Sequence, residues 1–211
     1  MSLPLLGRVF QAVQQLPRAA SEQLRGTHAD PLMPTIDRLD DAIVLHRDRA
    51  ISWLVTIVIG ALAFTLRIIN LSRPSNLVFD ETYYAKDAWT LLHLGYEGSW
   101  PKDANDQIVA GVIDIFTDAP SFIVHPQLGK WLIASGEYVF GMNSFGWRIA
   151  SVVFGTLLVM ATIRMARRLS RSTLVGAMAG LFITVDGLSF VMSRIALLDI
   201  FEAAFTVMAV A

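Results

Sequence analysis

Sixteen uncharged residues stand in a row from Ile51 to Leu66, and any fold for this chain has to house them. A helix needs about 20 residues to cross a hydrocarbon core of about 30 Å. The run reaches that length only by extending through Arg67 to Leu71, with the Arg67 guanidinium snorkelling at its end. Three further stretches read the same way. One covers residues 145–163, with Asn143 and Ser144 as a cap and Arg148 in its first turn. A second covers 173–192 and is interrupted by Asp186. The third begins near Leu197 and is still apolar at Ala211. Composition agrees, at 54% hydrophobic and 17% charged with a mean hydropathy of +0.52, too apolar for an ordinary soluble domain of 211 residues. The expected fold class is an all-α integral membrane protein, with residues 1–50 as a cytoplasmic tail. Because the last run has no polar exit, the chain reads as the N-terminal part of a longer polytopic protein, and the segment alone is expected to be inactive.

Several function classes drop out. A net charge of −1 offers no electrostatic footprint for nucleic acid. The sequence has no cysteine, which removes disulfide scaffolds, thiolate metal sites and cysteine nucleophiles. No short apolar core with a small-residue cleavage site marks a signal peptide.

Arginines set the orientation. Six precede the first run, and Arg164, Arg167, Arg168 and Arg171 crowd the connection between the second and third. Residues 72–128 hold only Arg73, Lys86 and Lys102 against eight acids. The positive-inside rule therefore predicts a cytoplasmic N-terminus and an outer loop over 72–144. Within that loop, Glu81 to Leu94 reads as an amphipathic interfacial helix and Gln127 to Phe140 as a second apolar helix, too short to span. The Gly-, Pro-, Asp- and Asn-rich stretch from Tyr96 to Pro120 reads as an ordered surface excursion.

This topology gathers ionisable residues at one leaflet. Arg67 ends the first span there and Arg148 begins the second. Asp186 lies about 20 Å along the third at 1.5 Å per residue. Arg194, Asp199 and Glu202 surround the turn into the fourth, the two acids on one helical face. Charges in or near spans face a protein interior, a partner or a water-filled site. Bland readings stand beside that one: Arg67 as a snorkelling end residue, Arg148 as an interfacial anchor, Asp186 as a cap and Arg194–Asp199 as an ion pair. The segment Gly176 to Gly180 reads as a helix-packing motif.

Asp80-Glu81, between Phe79 and Tyr83-Tyr84, is the densest candidate for chemistry. A positioned carboxylate can take the proton of an attacking hydroxyl. Arg148, Arg194 or Lys130 could stabilise a phosphate leaving group. Lys130 lies in the motif His125-Pro126-Gln127-Leu128-Gly129-Lys130, where it reads either as a phosphate ligand or as a snorkelling residue. His125 with Asp80 and Glu81 is the one arrangement that could ligate a metal, and it falls short of a ligand set.

Four blocks together, Phe79-Asp80-Glu81, His125 to Lys130, Trp147 to Gly155 and Ser193 to Asp199, resemble the protein O-mannosyltransferases, in the style of the actinobacterial branch. Gln127 departs from the family pattern, which has a second proline there. The resemblance implies a GT-C type multi-span transferase that moves mannose from polyprenyl phosphate mannose to Ser or Thr hydroxyls of polypeptides on the outer face. It implies Asp80 as catalytic base, with Glu81 and Arg148 in the same site; on the chemistry of the residues, Arg148, Lys130, Arg194, Asp199 and His125 are the candidates for holding the donor phosphate or positioning the site. The implied partners are the lipid donor, the polypeptide acceptor and the bilayer, with the secretion translocon as a further candidate; no resident cofactor is indicated, and a divalent metal stays open without support from the sequence. Two rivals remain open: a transferase of the same architecture using an aminoarabinose or arabinose donor, and a transporter with an ion path through Asp186, Asp199 and Glu202.

Overall fold

The computed structural model describes residues 33–211, with side chains described from residue 47 onward. The expectations for residues 1–32 lie outside the described residues. The chain separates into two compact units, Met1–Ala50 and Ile51–Ala211. In the first, the described backbone is helical and belongs to α1, Met33–Ile68. Everything that positions the candidate site lies in the second.

Among the described residues, two helical stretches are long and apolar enough to cross a membrane: Arg47–Ile68 of α1, and α5, Gly146–Ser170. Asn143 starts α5 as its sequence suggests. Its side-chain Oδ1 accepts from the backbone N–H groups of Phe145 and Gly146, each at 3.0 Å, engaging donors that a helix start otherwise leaves open. The helix continues beyond residue 163 through the arginine-rich stretch and ends at Arg171, whose φ of 55° is left-handed.

The third expected span, 173–192, is not one helix. It is α6, Thr173–Val185, followed by α7, Gly187–Met192. The backbone turns extended at Asp186, whose carboxylate accepts from Ser189 N–H at 2.8 Å and so starts α7. Thirteen residues of α6 rise only about 20 Å. The fourth stretch forms α8, Asp199–Val210.

The connection between α1 and α5 carries the two helices read from sequence, α2, Glu81–Leu94, and α4, Gln127–Phe140. A left-handed Gly95 with φ 80° ends α2 and returns its N–H to Leu91 O. Between them lie a short α3, Ala104–Val109, and an isolated antiparallel bridge from Gly98 to Pro120. Helix α5 is the axis: α4, α6 and α8 pack on it, and α2 packs on α4. Small residues let these helices approach closely, including Ala85 and Ala88 of α2, Ala134 of α4 and Ala204 of α8. The Gly176–Gly180 pair faces α5. A Cβ at Gly176 would stand 2.9 Å from Ile163 O, and one at Gly180 would collide with the Ile163 side chain. That is the packing role the motif suggests.

Candidate active site

Glu81 is the first residue of α2 and is completely buried, as is Arg148 in the first turns of α5. The two form a bidentate pair, Nε to Oε1 and Nη2 to Oε2, both at 2.7 Å. Each carboxylate oxygen accepts once more: Oε1 from Ala196 N–H and Oε2 from Val78 N–H, both at 2.9 Å. The guanidinium spends its remaining donors on three carbonyls, Leu71 at 3.1 Å, Pro74 at 2.6 Å and Asn76 at 3.0 Å. All five N–H bonds of Arg148 are thereby engaged, and none is left for a phosphate. One ion pair ties the 71–78 segment, α2, α5 and the turn at Ala196 together. Buried pairs of this kind fix geometry more than they add net stability.

Asp80 stands one residue outside that clamp and is exposed. Phe79 before it has a left-handed φ of 50°, which costs a bulky residue about 1–3 kcal/mol and is characteristic of sites where position matters more than local comfort. With Tyr83, Tyr84, Asp87, Ser121 and His125, Asp80 lines a cleft of about 370 Å³. Tyr84 lies one helical turn after Asp80 and lines the same cleft. Burial first, then the negative charges of Asp80, Asp199 and Asp87, push the Tyr84 hydroxyl above its ordinary range. The His125 ring meets Tyr84 edge-on with centroids 5.8 Å apart. Asp199, exposed at the start of α8, bears electrostatically on the same phenol and also lines a second cleft of about 360 Å³ with Asp186, Ser189 and Ile200.

The other predicted cations are engaged elsewhere. Lys130 does not snorkel. It is completely buried, and its Nζ sits 2.9 Å from both Asp87 and Glu97. Two carboxylates share one ammonium there. Burial pushes the Asp87 carboxyl above its ordinary range, Lys130 opposes that shift and Glu97 adds to it. Arg67 does not snorkel either. Fully buried, it donates to Ala63 O, to Ile183 O and Thr184 O at the end of α6, and to the Ser189 hydroxyl across the break. Carbonyls freed by the interrupted helix thus satisfy its charge.

Arg194 donates to Leu66 O at 3.3 Å and Asn70 O at 3.2 Å, complementing the C-terminal end of α1, and lies over the Phe190 ring at 5.2 Å. It makes no ion pair with Asp199 among the described residues. Half-buried, it keeps N–H bonds free of any partner there. No group of three or more His, Cys, Asp or Glu side chains among the described residues could hold a metal ion.

Sequence reasoning passed over three residues in this region. Tyr84 enters the sequence reading only as a neighbour of Asp80-Glu81. Asp87 and Glu97 are counted there only among the eight acids of residues 72–128, and it is α2 packing on α4 that brings Asp87, 43 residues away in sequence, onto Lys130. Glu137 of α4 is a further surprise: it is 1% exposed with neither carboxylate oxygen hydrogen-bonded among the described residues, and burial raises its carboxyl well above the usual range.

Comparison with known proteins fits this arrangement. Residues 57–211 match the family model described as dolichyl-phosphate-mannose-protein mannosyltransferase. A protein named polyprenol-phosphate-mannose–protein mannosyltransferase from Mycolicibacterium smegmatis is 46% identical over 169 residues, covering 78% of this chain and 29% of that protein. Its namesake in Mycobacterium tuberculosis is 42% identical, covering 77% and 28%. The one from Corynebacterium glutamicum is 38% identical, covering 70% and 27%. The chain therefore spans less than a third of the length of these relatives. A more distant match, 38% identical over 104 residues and 49% of this chain, is an undecaprenyl phosphate-alpha-4-amino-4-deoxy-L-arabinose arabinosyl transferase from Pseudomonas paraeruginosa. No solved structure matches the chain significantly. With its family model covering the second unit almost throughout, the chain belongs to the dolichyl-phosphate-mannose-protein mannosyltransferase family.

Proposed function

We propose that this chain forms the catalytic N-terminal part of a multi-pass membrane mannosyltransferase, which moves mannose from polyprenyl phosphate mannose to Ser or Thr hydroxyls of polypeptides. The observation that carries this reading is the pairing of an exposed carboxylate, Asp80, with a buried clamp on the very next residue, Glu81. A serine hydroxyl is a poor nucleophile, and its proton must leave as attack develops. Asp80 accepts that proton while the acceptor oxygen bonds to C1 of the mannose. The bond from C1 to the phosphate oxygen breaks on the opposite side, its electrons leave with polyprenyl phosphate, and the configuration at C1 inverts.

Arg148 and Glu81 act by fixing where Asp80 sits. Among the predicted phosphate ligands, Arg194 retains donors to offer the departing phosphate, and His125 stands in the same cleft as the base. The charge asymmetry between residues 72–128 and the arginine-rich connections supports an extracytoplasmic site in the cell membrane. Translocating or freshly secreted chains are the acceptors that such a site would meet, which makes the secretion translocon a natural neighbour.

The test uses the full-length protein in membranes, polyprenyl phosphate mannose and a Ser/Thr-rich peptide. Asp80→Asn removes the proton acceptor and should lower transfer by about 10²–10⁴-fold at equal expression. Wild-type rates in that variant would sink the proposal. A second reading has one observation behind it, the match over 104 residues to an aminoarabinose transferase. Offering labelled mannose and aminoarabinose donors side by side separates the two.

A further inference from the structure

Beside the Asp80 cleft lies a second one of about 260 Å³, lined among others by Lys86, Ser99 and Trp100. The two share Tyr83, Asp87, Ser121 and Phe122 in their walls. They are therefore two ends of one groove, which starts at Asp80 and follows the exposed side of α2 towards Trp100. We infer that this groove binds the acceptor polypeptide in extended form, on the residues flanking the serine or threonine that receives the sugar. The inference rests on the mannosyl-transfer reading above and adds where the acceptor lies and which side chains hold it.

The wall opposite α2 is the segment from Ser121 to His125. Ser121 is tied down by its N–H to Glu97 O at 2.8 Å. Phe122, Ile123 and Val124, which follow, are neither helix nor strand and make no hydrogen bond among the described residues. Their side chains are 88%, 57% and 60% exposed. An open backbone edge of this kind cannot lie against hydrocarbon, because its N–H and C=O groups would go unsatisfied at several kcal/mol each. It needs water or a partner with donors and acceptors in alternation.

An extended polypeptide supplies both requirements at once. Its backbone pairs with an open edge by strand addition, and its side chains drop alternately into the adjoining hollows. The hollows suit that occupant: Phe122 and Tyr83, the latter 62% exposed, offer aromatic faces, while Lys86, which makes no ion pair among the described residues, offers a cation. A lipid tail would leave that ammonium unanswered. A free sugar would not need a groove that continues past the base. Since Asp80 is at one end of the groove, a chain lying in it delivers its hydroxyl to the base by register alone.

The measurement is a pair of Michaelis constants for the full-length protein in membrane vesicles. One is for a Ser/Thr peptide at saturating polyprenyl phosphate mannose, the other for the donor at saturating peptide. Phe122→Ala and Tyr83→Ala change exposed side chains that make no hydrogen bond recorded among the described residues, so the fold should tolerate both. Each should raise the peptide KM by about tenfold, the scale on which an aromatic anchor at an interface matters. The donor KM should stay where it is. An unchanged peptide KM in both variants, or a rise confined to the donor KM, would overturn the groove assignment while leaving the transferase reading intact. Absence of peptide transfer by the wild-type protein would overturn both.

Discussion

Two adjacent carboxylates should fail in opposite ways. Glu81 accepts four hydrogen bonds, two on each oxygen, and is completely buried against Arg148. Glu81→Gln keeps the volume and removes the charge. Whichever way the amide turns, its NH2 group meets two donors: either Arg148 Nε and Ala196 N–H, or Arg148 Nη2 and Val78 N–H. Two hydrogen bonds are lost, and the guanidinium remains buried without a counter-charge. Stripping one partner from a buried pair costs about 3–5 kcal/mol, a large part of a typical stability of about 5–15 kcal/mol. Asp80→Asn, by contrast, alters an exposed side chain and should stay within about 0.5 kcal/mol of wild type. Thermal unfolding of the purified full-length protein, run beside the peptide mannosylation assay, reads both effects. Glu81→Gln should unfold early and lose transfer in step with its folded fraction. Asp80→Asn should unfold with wild type and still be inactive. Because removing both halves of a buried pair leaves no orphaned charge, Glu81→Leu with Arg148→Met should cost less than the two single changes summed. A Glu81→Gln protein as stable as wild type would refute the clamp.

Tyr84→Phe keeps the buried ring and removes the hydroxyl that shares the cleft with Asp80. Transfer should fall by about tenfold, equivalent to about 1.4 kcal/mol, with unfolding unchanged; an unaltered rate would take Tyr84 out of the site. Glu137 is buried, unpartnered and raised in pKa, so the folded state holds a proton that the unfolded chain, titrating near about 4.3, releases more readily. Its contribution to stability is present below that pH and is lost as pH rises towards the raised value. Glu137→Gln should flatten the decline, and melting curves that follow wild type at every pH would count against this assignment.

Periodicity and hydropathy are local properties, and what depends on them was legible. The helices at Glu81–Leu94 and Gln127–Phe140 begin and end where the sequence places them, as Asn143 and the Gly176–Gly180 pair behave as their residue types suggest. The break at Asp186 was visible as a polar residue inside an apolar run, but its consequence was not. Whether an aspartate in such a run bends a helix, caps one or binds something depends on the groups that come to meet it. Here those groups are Ser189 N–H and, through the freed carbonyls of Ile183 and Thr184, the Arg67 side chain from a helix more than a hundred residues away. The partners of Lys130 escaped for the same reason. Asp87 and Glu97 carry no local mark that sets them apart from the other acids of residues 72–128.

That difference reorders the charges that sequence had gathered into one group. Burying an ion without a partner is so costly that each buried cation here has been answered by protein: Arg67 by carbonyls of a broken helix, Arg148 by Glu81 and three carbonyls, Lys130 by Asp87 and Glu97. An answered charge has little left to give a substrate. The residues free to act are therefore among those that stayed partly in water, which include Asp80, Asp199, Glu202, His125 and the unspent side of Arg194. Arg148 holds Glu81 against the 71–78 segment, and Lys130 holds α2 to α4 through Asp87. Asp80 caps the start of α2, one residue before the first of those fixings. With its neighbour Glu81 clamped by Arg148, Ala196 and Val78, Asp80 has little freedom to leave the position that the proposed proton transfer requires.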